Sequence, residues 1–109
     1  MDAFDFANYA KTFSNQKRLI HEKYQKNLVL FYNGGKFSAT KDTLSYLSSL
    51  TDHKTDGPLV DDNGVPIWID SYRELLNKLF NLRTEAEVTY YNEFEVLRNN
   101  RTEQGLVNE

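Results

Sequence analysis

Residues 27–40, "NLVLFYNGGKFSAT", decide how this chain folds. Residues 28–32 are a run of strand formers, and Asn33, Gly34 and Gly35 supply the positive φ angles of a tight turn. Residues 36–39 return as a second strand. Thr40 then fits an N-cap, with Asp42 in the first turn. Leu44, Leu47 and Leu50, at spacings of three, predict a short helix to about Leu50.

The same glycines invite a phosphate-binding reading, which the spacing rejects. A nucleotide-binding P-loop needs a glycine five residues before the Gly-Lys pair, then Ser or Thr after it. Here Leu30 and Phe37 hold those places. Such a loop must also open a helix, whose free amides receive the phosphate, whereas Lys36 leads into a strand. The stretch reads as a hairpin.

Working outward, residues 3–26 predict a helix. Phe6, Tyr9, Ala10, Phe13, Ile20 and Tyr24 share one stripe, interrupted by Lys17. Asp2 and Asp5 near its start and four basic residues near its end complement the helix dipole. Downstream, "TDHKTDGP" (51–58) reads as a loop. "PLVDDNGVPIWID" (58–70) repeats the hairpin grammar, with Pro66 at a sheet edge or at the start of a strand. Calcium chemistry fits "DDNG" poorly. With Gly64 as the sixth residue of an EF-hand loop, Leu59, which has no side-chain oxygen, falls at the first ligand position.

Ser71 and Glu74 form a capping box, from which a long helix is expected to run to about Arg101. Leu75, Leu76, Leu79, Phe80 and Leu82 begin its apolar face, and Ala86, Tyr90, Phe94 and Leu97 continue it. A strand over residues 86–97 is the rival, because Val88, Tyr90, Phe94 and Val96 also lie on one face at period two. The order is helix, hairpin, short helix, hairpin, long helix. The expected fold is α+β: two β-hairpins forming a small antiparallel sheet, flanked by an N-terminal helix and a long C-terminal helix. Residues 1–109 read as a single domain, with 102–109 a frayed tail.

Composition narrows the function classes. The 109 residues carry a formal net charge of -3 and no cysteine, which removes disulfides, zinc thiolates and thiol catalysis. Fourteen per cent of the residues are aromatic, enough to drive folding. The acidic N-terminus does not resemble a signal peptide, and no apolar run approaches a membrane span. A soluble, cytoplasmic protein is expected. His21 and His53 lack partners at metal spacing, and no serine carries a nucleophile signature. No catalytic residue, cofactor, metal or small-molecule substrate is expected, and the protein reads as not an enzyme.

Two binding readings remain. Lys17, Arg18, Lys23, Lys26 and Lys36 could face nucleic acid, with Tyr24 and Tyr32 as stacking rings. The net charge and the interleaved Glu22 argue against this. The long helix is the stronger lead. Thirty residues span roughly 45 Å, against a diameter of roughly 34 Å for a compact domain of this length. The helix of residues 3–26 covers part of it and another subunit the rest; the alternatives are that this first helix, of similar length, covers nearly all of it, or that the long helix kinks near Thr84. Tyr90, Tyr91, Phe94 and Leu97 are then the expected interface of a homo-oligomer, with a dimer favoured.

"KRLIHEKYQKNLVLFYNGGKFSAT", "DDNGVPIWI" and "EAEVTYYNEFEVLRNNR" resemble small uncharacterised proteins of T-even-like marine myophages, cyanophages among them. The resemblance covers most of the chain, although Trp68 and its neighbours depart from the more acidic text expected there. It carries over no catalytic residue. It implies a phage-encoded viral protein, in the host cytoplasm or the virion, with a role in assembly rather than metabolism.

Overall fold

The computed structural model describes residues 3–103, with side chains described for residues 10–100. Seven elements follow in order: α1 (Ala3–Lys26), β1 (Val29–Tyr32), β2 (Gly35–Ser38), α2 (Lys41–Thr51), β3 (Gly57–Val60), β4 (Pro66–Ile69) and α3 (Tyr72–Glu103). The class is α+β, as the sequence predicts. Phe6 and Tyr9 of the expected α1 stripe lie outside the described side chains, as does the tail from residue 102. The chain forms two compact units. One joins residues 1–25 to residues 87–109, and the other is residues 26–86.

Within residues 26–86, the four strands pair as two antiparallel hairpins, each a separate two-stranded sheet rather than half of one. In the first, Leu30 faces Phe37 and Tyr32 faces Gly35. Asn33 (φ 50°) and Gly34 (φ 81°) make the two-residue turn, whose paired positive φ angles match the twist of the flanking strands. Gly35 has no such angle and belongs to β2, contrary to its expected place in the turn. Its missing side chain serves packing instead: a β-carbon there would lie 2.7 Å from Ile67 Cγ1. In the second hairpin, Gly57 faces Ile69 and Leu59 faces Ile67 on the inner side. β3 begins at Gly57, inside the stretch expected to be loop.

The hairpins are tied by the turn at residues 61–65. Asp61 Oδ2 accepts the Lys36 amide at 3.0 Å, and Lys36 O accepts the Asp62 amide at 2.8 Å. Asp61 Oδ1 accepts the amides of Asn63 and Val65 at 3.0 and 2.9 Å. Asn33 Nδ2 donates to Trp68 O at 3.1 Å. One buried carboxylate thus closes its own turn and fastens the neighbouring hairpin. Each amide so paired avoids the cost of an unmet buried donor.

Both N-caps form. Thr40 Oγ1 accepts the Thr43 amide at 3.2 Å, and Ser71 Oγ accepts the Glu74 amide at 3.1 Å. The Glu74 carboxylate does not reach back as a full capping box would; it faces Lys78 one turn on, at 3.6 Å. Residues 86–97 are helical, so the strand alternative fails, and α3 continues through Thr84 without a break. Phe37, Leu47, Ile69, Tyr72, Leu75 and Leu79 are the largest fully buried side chains. They form the core of the second unit, each worth about 1.5–3 kcal/mol of burial.

Candidate interaction surfaces

In the unit that joins residues 1–25 to residues 87–109, α1 meets the second half of α3. The rings of Tyr24 and Tyr90 stack with centroids 4.6 Å apart, and Tyr90 meets Phe94 edge-on at 6.1 Å. His21 Nδ1 lies 3.3 Å from Tyr90 Oη. Tyr24 Oη donates to Glu87 at 3.3 Å, and Lys23 Nζ pairs with Glu93 at 2.6 Å. Aromatic pairs of this kind add about 0.5–1.5 kcal/mol to their burial.

This pairing leaves apolar surface uncovered. Phe13, Ile20, Tyr24, Tyr90 and Phe94, which carry the facing stripes, are only half-buried, whereas Leu97 is buried. Tyr91 is 62% exposed and Val88 61%. Three residues apart, they are neighbours on one face of α3. Of the four expected interface residues, Tyr90, Phe94 and Leu97 take part in the packing of this unit, and Tyr91 faces solvent.

The five basic residues named for nucleic acid divide between the units: Lys17, Arg18 and Lys23 belong to one, Lys26 and Lys36 to the other. Arg18 is paired with Glu22 at 2.8 Å and Lys23 with Glu93. Two of the five cations therefore already have carboxylate partners.

The unit of residues 26–86 presents a different surface. Strand residues alternate between faces. In the second hairpin that alternation puts Pro58 opposite Trp68 and Val60 opposite Pro66 on the outer side. All four are exposed, Trp68 at 57%. Both prolines fall at positions whose amides would point away from the paired strand, so neither costs a ladder bond. A cavity of about 430 Å³ adjoins this face, lined by Phe37, Asp42, Thr43, Tyr46, Pro58, Leu59, Val60 and Asp62. Burial pushes the phenol of nearby Tyr72 above the ordinary tyrosine value, helped by Tyr46 and Asp56. Its hydroxyl stays protonated and donates to Pro58 O at 2.9 Å.

The outer hairpin face and Tyr46 escaped the sequence reading. The available signal was the alternation Pro58, Val60, Pro66, Trp68, four apolar residues on the side opposite Leu59 and Ile69. Among the described residues, no group of three or more His, Asp or Glu side chains could hold a metal ion, and no helix is long and apolar enough to cross a membrane. No protein-family model, no curated protein and no solved structure matches the chain.

Proposed function

We propose that the chain is a non-enzymatic interaction protein that self-associates through α1 and the second half of α3, as a homodimer. The carrying observation is the half-exposed stripe of Phe13, Ile20, Tyr24, Tyr90 and Phe94, with Tyr91 and Val88 uncovered beside it. Two helices share only one contact line, so a second pair of helices is the simplest cover for what remains. A twofold dimer would make a four-helix arrangement from identical surfaces. The resemblance to small proteins of marine myophages supports an assembly role for such a dimer, encoded by a phage and located in the host cytoplasm or the virion.

Sedimentation of the full chain over a range of concentrations tests this. A dimer that dissociates on dilution is expected. Because Tyr91 is exposed, Tyr91→Glu leaves the fold intact, and it should weaken the dimer about 30-fold, the effect of losing roughly 2 kcal/mol at an interface hot spot. A monomer at millimolar concentration, or a dimer indifferent to Tyr91→Glu, overturns the reading.

A further inference from the structure

The cavity beside β3 combines three properties that define a ligand. Its floor and walls are apolar and aromatic: Phe37, Tyr46, Pro58, Leu59 and Val60. Among the described residues, its charged lining consists of two carboxylates, Asp42 and Asp62, with no Lys or Arg. Lys36 and Lys41 are close in the chain but lie outside the lining. The Asp62 carboxylate accepts the Ser38 hydroxyl through Oδ2, which leaves its second oxygen for another donor. The third property is one unpaired residue on the outward edge of β3, between Pro58, whose carbonyl accepts the Tyr72 hydroxyl, and Asp62, whose amide donates to Lys36 O. The Asp61 amide bonds Val65 O, so the ladder pairs β3 to β4 at residues 61, 59 and 57. By alternation the amide and carbonyl of Val60 point outward, away from β4.

We infer that this cavity receives an extended peptide segment of a partner protein, bearing a lysine or arginine. The segment's backbone pairs with Val60. Its basic side chain lays an aliphatic stem along Phe37 and Val60, and its cationic head meets Asp42 and Asp62 beside the Tyr46 ring. Pairing at Val60 supplies one donor and one acceptor of the backbone, and the pocket selects the side chain. An acidic rim on an apolar groove favours a cation that carries its own hydrocarbon stem over a small ion or a purely apolar chain. All the residues involved belong to residues 26–86, so this inference stands apart from self-association of the other unit.

The test uses the full chain labelled with ¹⁵N and three capped heptapeptides of alternating threonine and valine, with lysine, norleucine or glutamate at the centre. The lysine peptide should shift the amides of Asp42, Tyr46, Val60 and Asp62. It should bind about 10-fold more tightly than the glutamate peptide, with an advantage that shrinks as salt is raised. Combining Asp42→Asn with Asp62→Asn should remove that preference while leaving the melting temperature within a few degrees of the parent. Three results would overturn the inference: equal binding of the lysine and glutamate peptides, shifts confined to residues outside the cavity, or no shifts at millimolar peptide.

Discussion

Replacing Asp61 with alanine lowers the melting temperature by roughly 10 °C at neutral pH, because three backbone amides lose their acceptor at once. The carboxylate is held below its ordinary range, first by the Lys36 amide and then by those of Val65 and Asn63, with burial opposing them. A lowered folded-state value means that the ionised form is bound more tightly in the folded chain. That stabilisation is complete above the unfolded value of about 3.9 and disappears as pH falls through the folded one. Asp61→Asn separates the two jobs of the side chain. Its amide oxygen can still accept from Asn63 and Val65, but its NH₂ group then confronts the Lys36 N–H, donor against donor. The turn survives and the tie to the first hairpin is lost, for about half the alanine effect. Thermal melts of parent and Asp61→Asn should therefore differ at pH 7 and converge as pH falls below the ordinary carboxylate range. A gap that stays constant with pH would show that the charge contributes nothing.

Gly57→Ala is the second severe substitution, with an expected loss of about 3 kcal/mol. Gly57 sits at φ 152°, a conformation side chains rarely adopt. A β-carbon there would also collide with the Tyr72 hydroxyl. Tyr72 has nowhere to retreat. Its ring is buried, its hydroxyl donates to Pro58 O, and its amide donates to Thr55 O at 2.9 Å. Tyr72→Phe alone should cost about 1 kcal/mol by leaving Pro58 O without its donor. In the double variant, removal of the hydroxyl relieves the collision, so urea midpoints should show less than the sum of the two losses. Strict additivity would place the whole cost in the backbone conformation and refute the steric account.

Features set by neighbouring residues were legible in the sequence. Asn33 with Gly34 specified the first turn, Thr40 and Ser71 the two N-caps, and the absence of any turn residue from 72 to 91 favoured helix over strand. What escaped depends on residues far apart in the chain. Gly35 looked like a third turn residue because its packing partner, Ile67, lies in the other hairpin. Gly57 and Pro58 read as loop because Gly-Pro usually breaks structure. The ladder accepts them where the proline nitrogen faces outward. Asp61 read as part of a turn or a failed calcium loop, since nothing near it in sequence announces a bond to Lys36. Of the surfaces, the aromatic stripe of α3 was visible from helical spacing. The outer face of the second hairpin was not, because two prolines obscured its alternation.

The division of the chain has a consequence for its synthesis. Residues 26–86 are one unbroken stretch, whereas the other unit joins two segments that flank it in sequence. On the ribosome, the hairpin unit has all its residues before α1 meets its partner. The Tyr24–Glu87 contact, for example, closes a separation of 63 residues. Until then the apolar stripe of α1 lacks the half of α3 that packs against it. Local contacts form early and distant ones late, so the order of emergence leaves the apolar stripe of α1 uncovered while the hairpin unit folds.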